Sequence, residues 1–157
     1  MATPQATAET RTELRITRTL AVPREKVFRA WTDPEALKRW FFPKDGFETN
    51  VPSFDLAVGG RYRIEMKSPE GKVHIVTGAY REVRPPERLV FTWKWENAPE
   101  EGESLVTVEL YDRGGRTDLV LRHDLLATAE AREEHSKGWA GCLDHLEKFV
   151  WEWRKAS

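Results

Sequence analysis

The feature that most constrains this chain is a single change of hydrophobic period between residues 125 and 129. Upstream, over 47–125, apolar residues recur mostly at every second position; downstream, over 129–155, they recur at steps of three and four. A period of two belongs to a pleated strand with one covered face, and a period near 3.6 to a helix with one apolar stripe. Tyr62, Ile64 and Met66 alternate with Arg61, Arg63, Glu65 and Lys67, and Leu89, Phe91, Trp93 and Trp95 with Val90, Thr92 and Lys94. Val106, Val108 and Leu110 oppose Thr107 and Glu109; Leu119 and Leu121 oppose Asp118 and Arg122, with Val120 blurring that strand. Turn chemistry separates these runs: Gly59-Gly60, Pro69-Glu70-Gly71, Pro85-Pro86, residues 97–102 and Gly114-Gly115. In the last segment Trp139, Cys142, Leu143, Leu146, Phe149, Val150 and Trp153 form one stripe. The helix they imply is about 27 residues, or ~40 Å, long. An antiparallel sheet with one apolar face and a long apolar-striped helix complement each other, so the chain is expected to be α+β.

The start of the chain completes this plan. Residues 1–12 are small and polar and read as a flexible tail, followed by one domain over 13–157. From Glu13 to Leu20 the pattern alternates, with Leu14, Ile16, Arg18 and Leu20 on one parity and Arg18 the charged exception. Pro23 fits the first position of a short helix, whose apolar side is Val27, Phe28, Ala30 and Trp31. A second short helix follows: Asp33 caps, Pro34 takes the first position and Glu35 favours the positive end of the dipole. Leu37, Trp40 and Phe41 bury its face, and Pro43 and Gly46 end it. The expected order is strand, two short helices, about six strands and a long helix.

Charge and motifs exclude several functions. Lys and Arg number 25 against 26 Asp and Glu, a net charge of −1, so neither a nucleic-acid partner nor a polybasic membrane anchor is expected. No run approaches the roughly 18 apolar residues of a membrane-spanning helix, and Met1–Thr10 lacks the blocks of a signal peptide. The one cysteine, Cys142, cannot form an intramolecular disulfide, which suits a reducing cytoplasm. There is no paired-cysteine motif, no His-x-x-x-His or His-Glu-x-x-His, and no Gly-x-Ser-x-Gly elbow. Val58-Gly59-Gly60 runs into alternating residues, so it reads as a turn or bulge that bends the sheet rather than a phosphate loop. No metal, no cofactor and no catalytic set is expected.

Several stretches together resemble a known family. They are Val22-Pro23-Arg24-Glu25-Lys26-Val27-Phe28-Arg29-Ala30-Trp31-Thr32-Asp33-Pro34-Glu35 with Lys38-Arg39-Trp40-Phe41, then Phe54-Asp55 with Val58-Gly59-Gly60-Arg61-Tyr62. Gly78-Ala79-Tyr80-Arg81-Glu82-Val83 follows, running into Pro86-Glu87-Arg88-Leu89-Val90-Phe91-Thr92-Trp93. Thr117 to His123 and Gly138-Trp139 with Leu143, Leu146 and Phe149 complete the set. The chain thereby resembles the bacterial Hsp90-ATPase-activator-like family of the Bet v 1 / START-like helix-grip superfamily. Ala57 departs from it, standing where many members carry arginine. The resemblance implies a curved antiparallel sheet of about six or seven strands wrapped around the C-terminal helix, with the two short helices closing one end. It also implies a cavity between sheet and helix that in many relatives accepts an apolar small molecule. Eukaryotic activators add a separate N-terminal module that contacts the chaperone; with ten or so residues before the first strand, that module is not expected here.

The candidate site follows from inward parity. Trp40, Tyr62, Tyr80, Phe91, Trp93, His123, Trp139 and Leu143 are expected to line the cavity. Rings and aliphatic groups would supply burial; tyrosine and histidine would orient a polar atom of the ligand. His135 lies one turn before Trp139, and His145 lies off the stripe. Trp151 is expected nearer solvent than Trp153. The expected function is binding of an apolar or aromatic small molecule. Two other readings stay open: a module that contacts an Hsp90-type chaperone or another protein, and a cyclase- or hydrolase-like enzyme using the same cavity. A homodimer through a sheet edge or the long helix is also left open.

Overall fold

The computed structural model describes residues 12–156. Along the chain come β1 (Thr12–Leu20), α1 (Arg24–Thr32), α2 (Pro34–Trp40), β2 (Glu48–Phe54), β3 (Arg61–Lys67), β4 (Val73–Arg84) and β5 (Arg88–Trp95). A 3₁₀ turn at Pro99–Glu101 leads to β6 (Ser104–Asp112), β7 (Thr117–Leu126) and α3 (Ala129–Ala156). All seven strands form one antiparallel sheet in the order β1-β7-β6-β5-β4-β3-β2. Strands β2 to β7 are thus a meander, and α1 and α2 carry the chain from one sheet edge to the other. This is the helix-grip α+β architecture. Of the expected tail, residues 1–11 lie outside the described residues, and Thr12 already belongs to β1.

Alternation became burial. In β3, Tyr62, Ile64 and Met66 are buried while Arg61 and Lys67 are exposed; in β7, Leu119, Leu121 and His123 are buried between half-buried neighbours. On α3, Trp139, Cys142, Leu143, Leu146 and Val150 face the sheet, and Trp151 is 43% exposed. Arg18, the charged residue on the apolar parity of β1, crosses to α3. Its Nη1 donates to Asp144 Oδ1 at 2.7 Å and its Nη2 to the Ala140 carbonyl at 3.4 Å. The exception in the pattern is therefore a tie between edge strand and helix.

The start of α1 differs from the expectation by one residue. Pro23 is its N-cap, with φ −63° and ψ 152°, and its carbonyl accepts from Lys26 and Val27. The ring sets φ alone, so extended ψ leaves Pro23 just outside the helix. For α2 the expectation holds: Asp33 Oδ1 accepts the Glu35 N–H at 2.9 Å, and Pro34 opens the helix.

Two glycines set the shape of the sheet. Gly59, at φ +87°, makes the turn before β3 and donates its N–H to the Tyr80 carbonyl at 2.8 Å, so this turn rests on β4. Gly78 stands opposite Tyr62, and a Cβ there would lie 1.9 Å from the Thr92 carbonyl oxygen and 2.7 Å from Tyr62 Cε2. The Tyr62 ring uses that space, and its hydroxyl donates to Thr92 O at 2.5 Å, joining β3 to β5 across β4.

Candidate aromatic site between sheet and helix

The concave face of the sheet, the stripe of α3 and the two short helices converge on one set of rings. Trp31 and Trp40, from α1 and α2, meet edge to face at 4.7 Å between centroids. The Trp40 indole N–H donates to the Ala30 carbonyl at 2.9 Å and so fixes α2 against α1. Phe41 links Trp93 at 6.1 Å to Trp139 at 5.6 Å, and Trp93 and Trp139 stand 5.0 Å apart. Tyr62, Tyr80 and Phe91 form a second triad at 5.6–5.9 Å. Trp31 joins the two groups, 6.0 Å from Trp139 and 6.4 Å from Phe91.

The eight residues expected to line a cavity are all buried in this region, and of them Trp93 alone borders the small cavity described below. Trp40 and His123 are 0% exposed, Leu143 1%, Tyr62 and Trp139 3%, Tyr80 and Trp93 4% and Phe91 5%. Their seven rings belong to one connected network of ring contacts, with Leu143 one turn beyond Trp139 on α3. Trp31, Phe41 and Trp95, which the sequence pattern already turns toward the interior, and Ser104 also belong to the region, although none is among the eight candidates. Ser104 had a signal: it shares the inward parity of Val106 and Val108, a hydroxyl in an otherwise apolar row.

The polar centre is His123. The Trp139 indole N–H donates to His123 Nδ1 at 3.0 Å; an indole only donates, so Nδ1 carries no proton and Nε2 does. His123 Nε2–H then donates to Ser104 Oγ at 2.7 Å, and Ser104 Oγ donates to the Trp93 carbonyl at 3.3 Å. The same logic sets a second histidine. Trp95 donates to His135 Nε2 at 2.9 Å, leaving His135 Nδ1–H to donate to the Ala131 carbonyl at 2.7 Å. The two imidazoles lie 5.0 Å apart. Burial, with His135 adding to it, holds the His123 pKa well below the ordinary histidine value.

Of the two tyrosines expected to orient a polar atom of the ligand, Tyr62 already spends its donor within the protein. The Tyr62 hydroxyl is committed to Thr92 O, and burial together with Tyr80 raises its pKa well above the usual value. Burial also raises Tyr80 and the Cys142 thiol. His145, off the stripe, bonds the Phe42 carbonyl and Asp45 outside this network.

Two indoles contrast with the others. Trp40, Trp95 and Trp139 each have an acceptor, whereas the N–H groups of Trp31 and Trp93 are buried with no hydrogen-bond partner. Trp93 also borders a small cavity of about 10 Å³. Trp95, Ser104, Leu125 and Leu126 at the end of β7, Ala127, and Ala131 and His135 of α3 also line it. That is room for about one water molecule. Glu101 and Gly102, beside the 3₁₀ turn, line it as well. Leu125, at φ +66° and 45% exposed, stands where the β1–β7 register slips. A separate groove of about 310 Å³ lies between α2 and the last turns of α3, lined by Asp33, Glu35, Ala36, Arg39, Phe149, Glu152 and Trp153. Among the described residues no group of three or more His, Cys, Asp or Glu side chains is arranged to hold a metal ion. No helix among them is long and apolar enough to cross a membrane.

Comparison with known proteins agrees with this architecture. No curated protein matches the sequence. Among solved structures, protein CV1439 from Chromobacterium violaceum is 32% identical, with a TM-score of 0.82 over 88% of this chain and 96% of that one. The AHSA1 (SPO3351) protein from Silicibacter pomeroyi is 29% identical, with a TM-score of 0.77 over 87% and 96%. Protein NE0264 from Nitrosomonas europaea is 28% identical, with a TM-score of 0.73 over 89% and 94%. The family model described as activator of Hsp90 ATPase homolog 1-like protein matches residues 21–150, from the end of β1 to the last buried residue of the α3 stripe. The chain belongs to the activator of Hsp90 ATPase homolog 1-like family.

Proposed function

We propose that this chain is a small-molecule-binding domain that holds an apolar or aromatic ligand between the concave sheet face and α3. The ligand would contact Trp40, Tyr62, Tyr80, Phe91, Trp93, His123, Trp139 and Leu143. The observation that carries this reading is the ring network itself, which runs unbroken from α2 across the sheet to the small cavity beside Trp93. A flat ligand that parts these rings exchanges ring–ring contact for ring–ligand contact of the same kind. Entry therefore needs side-chain rotation, and Trp95 and His135, half-buried at the cavity, are the side chains placed to move. His123 supports binding rather than proton transfer, because both ring nitrogens are engaged, by Trp139 and by Ser104.

Tryptophan fluorescence tests the proposal, since Trp40, Trp93 and Trp139 all lie in the network. A titration against fatty acids, sterols, flavonoids and polyketide-like aromatics is expected to give saturable quenching with micromolar affinity for one of these classes. A flat response to all of them overturns it.

A further inference from the structure

We infer that the ligand of this site carries a neutral hydrogen-bond acceptor, a ketone, quinone or ester carbonyl, which takes the indole N–H of Trp93. The inference rests on the binding reading above and adds the chemical class of the bound molecule. Its starting point is the contrast among the indoles. Trp40, Trp95 and Trp139 donate to Ala30 O, His135 Nε2 and His123 Nδ1, so acceptors for buried indoles are available in this interior. Trp93 is 4% exposed and its N–H has no partner. Native interiors leave few buried donors unmatched, and each one calls for a physical account.

Position supplies that account. Trp93 borders the small cavity, in ring contact with Trp139 and His123. A molecule entering there meets Trp93, the one lining residue with an unmatched buried donor, while its body meets rings. The sign of charge is also constrained. The lining holds no Lys or Arg, its one histidine, His135, accepts the Trp95 N–H through Nε2, and its one acidic residue is Glu101, so no fixed cation lines the cavity to offset a buried carboxylate. A neutral carbonyl satisfies Trp93 without that penalty.

Three naphthalenes substituted at the same ring carbon separate the cases: acetylnaphthalene, ethylnaphthalene and naphthoate. The ketone is expected to bind about tenfold more tightly than the ethyl compound, the worth of one buried hydrogen bond, and naphthoate more weakly than either. In wild-type protein the ketone should move the Trp93 indole proton resonance downfield, and the ethyl compound should not. In Trp93→Phe, checked for folding by circular dichroism, the ketone should fall to the level of the ethyl compound in the same variant. Equal affinities in wild type with an unmoved Trp93 resonance overturn the acceptor assignment while leaving the binding site intact. So does a ketone preference that survives in Trp93→Phe. Failure of all three compounds to bind overturns the acceptor assignment, and the binding reading falls with it only if the wider panel above is silent as well.

Discussion

The indole N–H of Trp139 meets Nδ1 of His123 at 3.0 Å, and this one bond decides where the histidine proton sits. With Nδ1 occupied as an acceptor, Nε2 becomes the donor toward Ser104, and helix α3 is hydrogen-bonded through β7 into β6.

Replacing the ring separates the bond from the packing. Trp139→Phe keeps an aromatic ring but leaves His123 Nδ1 buried without a donor, and should lower stability by about 1–3 kcal/mol. Trp139→Ala also opens a void against Trp31, Phe41 and Trp93, and should cost about 3–5 kcal/mol. Urea unfolding of the two variants measures both numbers. A Trp139→Phe protein as stable as wild type would mean that the bond contributes nothing.

His123 also predicts a pH dependence. Its folded pKa lies below its unfolded value of 6.5, because burial disfavours the cation. Below about pH 6.5 the unfolded chain takes up a proton that the native state refuses, so stability is complete above that pH and falls as pH drops, by up to ~1.4 kcal/mol per pH unit. His74, lowered first by burial and then by Lys72, acts in the same direction. Glu96 and Asp118, held low by hydrogen bonds from Arg63 and Arg113, act in a separate window below about pH 4.5. Unfolding free energies between pH 5 and 7 in wild type and His123→Gln should differ in slope by about a quarter of a proton at pH 7, rising toward one proton near pH 5; equal slopes would refute the assignment.

Two glycines of α3, three residues apart, should respond with opposite signs. A Cβ on Gly141 would stand 1.9 Å from the Pro43 carbonyl oxygen, whereas one on Gly138 meets nothing within 4 Å. Gly141→Ala is expected to destabilise by about 1–3 kcal/mol or more through overpacking. Gly138→Ala should stabilise by about 0.5–1 kcal/mol through helix propensity. Thermal unfolding of the pair gives the signs directly.

Cys142 is 5% exposed, and burial raises its thiol pKa. Native protein at pH 8 should therefore react with a thiol reagent about a thousandfold more slowly than protein in denaturant, with a rate that follows global unfolding. Rapid native labelling would show that α3 opens locally.

The architecture was legible because each strand and helix carried its own period: a run such as Tyr62-Arg63-Ile64 names its buried side without reference to any partner. Pro23 fell one residue out because its ring fixes φ but leaves ψ to the chain around it. The site was legible as a set of inward rings and no further. Parity placed His123 inside, but which nitrogen meets Trp139 depends on how β7 and α3 are set against each other. The pairing of Ser104 with His123 depends likewise on the β6–β7 register, where Val106 faces His123. That Trp31 and Trp93 lack acceptors while Trp40 has one is a matter of ring orientation, which no sequence pattern encodes.

The strand order has a consequence for how the chain is made. Among the described residues β1 is the first strand and its only sheet partner is β7, the last; Thr19 and Asp118, hydrogen-bonded across that pair, are 99 positions apart. At synthesis rates of about 5–20 residues per second, β1 waits roughly 5–20 s for its partner to be translated. Strands β2 to β6 can meanwhile pair with their neighbours as they emerge. The alternating face of β1, with Leu14, Ile16 and Leu20, is thus made long before its cover, and the exposed Arg15, Thr17 and Thr19 on its other face favour solubility in that interval.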